Sequence, residues 1–240
     1  MAANLFPKVI LFGDSLTQYS FSEGGWGSTV ADYFQRKCDV LNRGFSGYTS
    51  AVNKVILPKI LQCDNSPKGS VVAVTVLLGS NDSVMESVDL RGLTVEQYIS
   101  NMSDIVSQFI TDGIPARQII LLTPPAVAID MHTKYCRELG REMPLSAERV
   151  KSFAEKCADL GKKLGVDVIN LYSLFYEQPN WESFLCDGLH LSKEGNHFVA
   201  NHVIKALEPK VGHLPLVFPD WKDLDPKNPA KVFLGSGKDS

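Results

Sequence analysis

The chain has little surplus charge: 24 Lys and Arg against 27 Asp and Glu in 240 residues leave a net charge of −3. Binding by massed neutralisation of phosphates is thereby excluded, and no nucleic-acid partner is expected. Cysteine is scarce too. Cys38, Cys63, Cys136, Cys157 and Cys186 are odd in number, far apart and without a Cys-x-x-Cys pair, which argues against a disulfide framework or a structural zinc site and for a reducing compartment. No apolar run approaches the length of a membrane span, and no basic leader precedes the first one, Val9 to Phe12. The expectation is a cytoplasmic protein with no membrane span. Asn-x-Ser at Asn81 and at Asn101 then reads as a chance match rather than a glycosylation site. Also missing are a Walker loop, a complete Gly-x-Gly-x-x-Gly, a Gly-x-Ser-x-Gly elbow and a His-Glu-x-x-His; His197 and His202 miss the i,i+4 spacing of a shared metal. Nucleotide binding and metal dependence are disfavoured, and no cofactor is expected.

What is present is an ordinary globular composition, 44% hydrophobic and 21% charged, rich enough in apolar residues for a large core. Short β-branched runs alternate with stretches of helical spacing, the pattern of βαβ units around a parallel sheet. The runs at 8–13, 39–42, 70–78, 118–123 and 167–171 are five strand candidates, most of them continuously apolar, as strands covered on both faces should be. The expected fold is a three-layer α/β/α sandwich with a parallel sheet of about five strands.

Between the strands, Val95, Tyr98, Ile99, Met102, Ile105, Val106, Phe109 and Ile110 form one helical stripe, opened by a Thr94/Gln97 capping box and stopped by Gly113 and Pro115. Val52, Val55, Ile56 and Ile60 form a second, ended or kinked near Pro58. Val150, Phe153, Ala154, Cys157, Leu160 and Leu164 form a third, closed by Gly165; Phe198, Val199, His202, Val203, Ala206 and Leu207 form the last. All four stripes read as core. No repeat or charge run divides the chain, so one domain over 1–240 is expected, with a core at about 8–207. The proline-rich stretch of 209–240 reads as a surface-wrapping tail, frayed over 235–240.

In an open parallel sheet, ligands collect beyond the carboxyl ends of the strands. Three polar segments fall there: Gly13-Asp14-Ser15-Leu16-Thr17, Asn42-Arg43-Gly44-Phe45-Ser46-Gly47-Tyr48-Thr49 and Gly79-Ser80-Asn81-Asp82. A fourth, Asp187-Gly188-Leu189-His190, follows the fifth strand. A serine hydroxyl needs a base to take its proton, an orienter for that base and donors for the oxyanion. Ser15 offers the hydroxyl and its own N–H. Gly47 can bring a bare N–H close to a substrate, and the Asn81 amide adds a side-chain donor. His190 can be neutral near pH 7 and accept the proton, with Asp187 three residues earlier holding its other ring nitrogen.

GDSLT, the glycine of FSGYTS, GSND and DGLHLS resemble, in order and spacing, the four blocks of the GDSL or SGNH hydrolase superfamily, and the match covers most of residues 8–207. The resemblance implies a flavodoxin-like fold, Ser15 as nucleophile, Asp187 and His190 completing a triad, and Gly47 and Asn81 as oxyanion donors beside the Ser15 N–H. Gly44 is the alternative to Gly47, which is preferred because it precedes Tyr-Thr-Ser as in the family pattern. Within the superfamily, RGFSGYTS, ILPKIL, DGLHLSKEGN and PDWKDLDP resemble most the isoamyl acetate-hydrolysing esterases. That likeness implies a small-molecule, short-acyl ester substrate and no cofactor. Thioesters, lysophospholipids and acetylated sugars are the competing substrates, because the triad fixes the chemistry while pocket shape fixes the acyl group. A catalytically inactive binding scaffold is the competitor from another class; a homo-oligomer stays open.

Plainer readings stand beside these. Gly-Asp-Ser alone is common turn chemistry, and Asn81 and Asp82 could merely form a turn. Asp14 reads as a brace for the site and Cys186 as packing. Tyr19, Phe21, Trp26 and Trp181 could line a pocket or the core. The segment 126–144, with Met131, His132, Tyr135 and Met143, and the loop 19–26 are the expected specificity elements.

Overall fold

A computed structural model describes residues 6–64 and 66–232. Five parallel strands, β1 (Lys8–Gly13), β2 (Asp39–Gly44), β3 (Val71–Leu77), β4 (Ile119–Leu122) and β5 (Asp167–Ile169), form one sheet in the order β2-β1-β3-β4-β5. All five lie where the apolar runs placed them, with β2 two residues longer. Among the described residues eight α-helices accompany them: α1 (Ser15–Gln18), α2 (Trp26–Tyr33), α3 (Ser50–Asp64), α4 (Val95–Thr111), α5 (Ile129–Glu138), α6 (Ala147–Leu164), α7 (Leu171–Tyr176) and α8 (Lys193–Leu207). The short α2 and the polar α5 escape the sequence pattern, which has no long apolar stripe there.

The period-2 alternation of the strands sorts the core into two layers. Val9 and Leu11 of β1, Ala73 and Leu77 of β3, and Ile120 and Leu122 of β4 face Trp26 and Val30 of α2 and Val199 and Val203 of α8. Ile10, Phe12, Val74, Val76, Ile119 and Leu121 face the other way, onto Leu57 of α3, Met102 and Phe109 of α4, and Phe153 and Cys157 of α6. The fold is therefore the expected three-layer sandwich. Thr94 and Gln97 form the reciprocal capping box on α4, and Gly165, at φ 66°, closes α6.

Three core assignments fail. Val52 and Val55 are exposed, because α3 turns Asn53 and Leu57 inward instead; Ile110 is exposed in the last turn of α4. Pro58 does not end α3, which runs on to Asp64. A proline there frees the carbonyl four residues back. That carbonyl, on Lys54, accepts from Gln108 Nε2 of α4 at 3.2 Å, so the lost helical bond has a replacement.

Beyond α8 the chain takes a π-helical turn, Glu208–Gly212, and then crosses the end of α2. Arg36 holds it there by donating to the Phe218 and Pro219 carbonyls, while the Arg36 carbonyl accepts from the Val217 N–H. Residues 217–219 thus lie against the segment that follows α2. The fraying expected over 235–240 lies outside the described residues. No described helix is long and apolar enough to cross a membrane.

Candidate active site

The strand order changes direction between β1 and β3, the position at which α/β sheets open a crevice. β1 ends there at Gly13, where a Cβ would sit 2.4 Å from the Leu77 carbonyl and 2.3 Å from Thr17 Oγ1, so no larger residue fits. Asp14 follows, fully buried, and caps α1 by accepting the Leu16 N–H at 3.0 Å. Ser15 becomes the first residue of that helix, with its side chain at the sheet edge.

His190 and Asp187 reach Ser15 from a tight loop. An antiparallel bridge between Leu185 and Leu191 closes it, reinforced by the Cys186 N–H to His190 carbonyl bond at 2.9 Å. Within the loop, Asp187 Oδ1 accepts the backbone N–H groups of Leu189 and His190 at 2.9 and 2.7 Å. Oδ2 lies 2.7 Å from His190 Nδ1, and His190 Nε2 lies 3.1 Å from Ser15 Oγ. Since a carboxylate only accepts, it assigns the ring proton to Nδ1 and leaves Nε2 as the acceptor facing the serine hydroxyl.

The electrostatics follow this row. Burial by itself would raise the Asp187 carboxyl, but the His190 ring and the two backbone N–H groups overrule it and hold the carboxyl at about 2. His190 is raised above its ordinary value, first by the Asp187 hydrogen bond, against a desolvation that opposes it. The α5 helix clamps the loop from behind: His132 Nδ1 donates to the Asp187 carbonyl at 2.9 Å, and the Ala128 N–H donates to the Gly188 carbonyl.

Gly47 and Asn81 lie across from His190. With Ser15 and His190 they line a cavity of about 540 Å3 that also takes in Val88, Arg91, His132, Tyr135, Leu139, Arg141 and Leu189. Gly47 has φ 79°, a backbone state that favours glycine. Gly44 is elsewhere: its Cα faces α1, and a Cβ there would meet Gln18 N at 2.0 Å. The Asn81 amide donates Nδ2–H to the Tyr48 carbonyl at 3.1 Å and lies 3.5 Å from Asp14 Oδ2, while its Oδ1 accepts from Arg91 Nη1 at 3.0 Å. A second, smaller cavity of about 290 Å3 opens on the opposite side of Ser15 and His190, between Tyr19, Glu23 and Lys193.

The remaining expectations divide. Asp14 braces the site as anticipated. Asp82 is more than a turn residue, for its buried carboxylate accepts from Ser50 at the start of α3. Cys186, expected in packing, is instead exposed at the mouth of the smaller cavity. Trp26 belongs to the core, where Nε1 donates to the Leu16 carbonyl at 2.8 Å; Trp181 is half-buried and packs against Tyr176, and Phe21 is exposed. Of the segment 126–144, His132 and Tyr135 line the large cavity, whereas Met143 packs beside Val84 and Val150. Arg91 and Asp89 carried no sequence signal: Asp-x-Arg in a loop belongs to no motif. Among the described residues no three His, Cys, Asp or Glu group as metal ligands.

A doubly wound sheet with a serine, a histidine and a carboxylate in one row at its carboxyl edge has the architecture of the SGNH-type hydrolases. The family model of GDSL-like lipase/acylhydrolases matches residues 9–203, and the chain belongs to that family. It is 38% identical to the human "Isoamyl acetate-hydrolyzing esterase 1 homolog" over 98% of this chain and 95% of that one. It is 35% identical to a GDSL esterase/lipase of Arabidopsis thaliana, over 95% and 97% of the two chains. Among solved structures, a lipase/acylhydrolase from Enterococcus faecalis shares the fold with a TM-score of 0.70 at 21% identity, covering 89% of this chain and all of that one.

Proposed function

We propose that the chain hydrolyses small carboxylic esters, acetates and other short-acyl esters foremost, through an acyl-enzyme on Ser15. The observation that carries this reading is the unbroken row from Asp187 Oδ2 to His190 Nδ1 at 2.7 Å and from His190 Nε2 to Ser15 Oγ at 3.1 Å. The isoamyl acetate-hydrolysing name of the human relative supports the short acyl group.

In this mechanism His190 Nε2 takes the Ser15 proton as Oγ attacks the ester carbonyl carbon. Asp187 stabilises the imidazolium that forms. The carbonyl oxygen, now negative, is held by the N–H groups of Ser15 and Gly47 and by Asn81 Nδ2–H. His190 returns the proton to the leaving alcohol oxygen, and the C–O bond breaks. Water then attacks the acyl-enzyme with His190 again as base, releasing the acid and restoring Ser15. The cavities on either side of Ser15 give the acyl and alcohol parts separate space.

Hydrolysis of p-nitrophenyl acetate, butyrate and decanoate by wild type and by Ser15→Ala tests the reading. The expectation is turnover greatest on the short esters and lost in Ser15→Ala. Activity surviving in Ser15→Ala overturns the nucleophile. Rates that climb with acyl length point to lipid substrates instead, and an inert wild type to a binding scaffold.

A further inference from the structure

Arg91 lies outside the four sequence blocks, yet it touches the proposed oxyanion site. Its guanidinium is pinned on one side by Asp89: Nε stands 3.0 and 3.1 Å from the two carboxylate oxygens, and Nη2 stands 2.5 Å from Oδ2. The pairing holds Asp89 below its ordinary carboxyl value. The free corner of the fork, Nη1, donates to Asn81 Oδ1 at 3.0 Å.

A guanidinium can only donate and a backbone carbonyl can only accept. Arg91 on one end of the Asn81 amide and the Tyr48 carbonyl on the other therefore permit a single orientation, with Oδ1 toward Arg91 and Nδ2 toward Tyr48 and Asp14. One Nδ2–H is used by Tyr48. Among the described residues the other meets only Asp14 Oδ2, at a long 3.5 Å, and so remains available to an oxyanion beside Ser15. Withdrawal of electron density from Oδ1 by a charged donor also makes the amide N–H a stronger donor. Because Asp89 neutralises the guanidinium at close range, orientation and polarisation of the amide, rather than a free positive charge, are what Arg91 supplies.

We propose that Arg91, anchored by Asp89, is a positioning residue that fixes and polarises the Asn81 amide for oxyanion stabilisation. The inference rests on the proposed role of Asn81. Arg91 is exposed, so its replacement leaves the core intact.

The test is a double-mutant cycle on p-nitrophenyl acetate with Arg91→Met, Asn81→Ala and the pair, plus Arg91→Lys. Arg91→Met should lower kcat about tenfold with KM within about twofold, a fraction of the full loss of an oxyanion donor. Arg91→Lys should recover part of that loss. In the Asn81→Ala background, Arg91→Met should change kcat by less than about twofold. Losses that multiply in the double variant would show that Arg91 acts independently of Asn81, and an unchanged kcat in Arg91→Met would leave Arg91–Asp89 as a surface ion pair only; either result overturns the proposal. If Asn81→Ala alone stays within about twofold of wild type, the oxyanion assignment itself falls and takes this inference with it, a result read directly from the single variant.

Discussion

Ser50 gives its backbone N–H to Asp82 at 2.9 and 3.1 Å and its hydroxyl to the same buried carboxylate. Asp82 directly follows Asn81, and Ser50 opens the helix that follows Gly47. The contact therefore ties together the two strand-end segments that carry the proposed oxyanion donors. Asp82 acts as an N-cap supplied from a distant loop, charge-assisted and dry. Asp82→Ala should cost about 1–3 kcal/mol of unfolding free energy, the range for losing a cap and a bond to a charged acceptor. Urea unfolding measures it. A loss under about 0.5 kcal/mol would mean that α3 is held by Leu57 packing alone.

Burial pushes the Asp14 carboxyl up to about 7, against the opposing Leu16 N–H bond, and the Asp82 carboxyl up to about 6, against its bonds from Ser50. A carboxyl raised in the folded state keeps a proton that the unfolded chain has released. Its contribution is complete below the ordinary value of 3.8 and fades as pH rises toward the folded value. Stability should thus decline between about pH 4 and about pH 7 through these two groups, while Asp187, lowered to about 2, contributes fully above pH 4 and is lost only in stronger acid. Asp14→Asn keeps the acceptor for Leu16 and removes the titration. Its thermal midpoint should therefore fall less than that of wild type between pH 5 and pH 8.

The layers were legible because β1, β3 and β4 are apolar on both faces, and α4, α6 and α8 because their stripes keep a helical period. α3 was misread where polarity and burial part company. Asn53 is fully buried, with Nδ2 turned back to the Thr49 carbonyl at 3.1 Å, while Val55 is exposed. Hydrophobic spacing cannot register a buried polar side chain whose amide N–H turns back onto its own first turn. The site divides along the same line. Ser15, Gly47, Asn81, Asp187 and His190 belong to short motifs that can be read in one dimension. Arg91 and His132 act through single hydrogen bonds across 10 and 55 positions of chain, which no local pattern encodes.

The Asp187 hydrogen bond is the leading cause of the raised His190 value. A base must be unprotonated to accept from Ser15, so kcat/KM should fall on the acid side as His190 gains a proton. Asp187→Asn removes the charge that favours the imidazolium. The acid limb of the pH–rate profile should shift to lower pH, and the plateau should drop by on the order of 10⁴. A limb that stays in place would assign the titration to another group, with Asp14 the first candidate.

Gly44 and Gly47 separate by what surrounds each. A Cβ at Gly44 would lie 2.0 Å from Gln18 N and 2.5 Å from the Thr17 carbonyl carbon, both backbone atoms that cannot turn aside. Gly44→Ala must push α1 away from β2 and should cost about 1–3 kcal/mol by overpacking. At Gly47 the nearest atom to a built Cβ is Arg91 Nη1, at 3.6 Å, so space is available and the strain is confined to φ 79°, roughly 1 kcal/mol. Gly47→Ala should therefore fold almost as stably as wild type, yet lose kcat, because relief of that strain tilts the N–H proposed to face the oxyanion. Unfolding midpoints and kcat for both variants check the pair. Full activity in Gly47→Ala, with loss of kcat in a still-folded Gly44→Ala, would move the backbone donor to the other glycine.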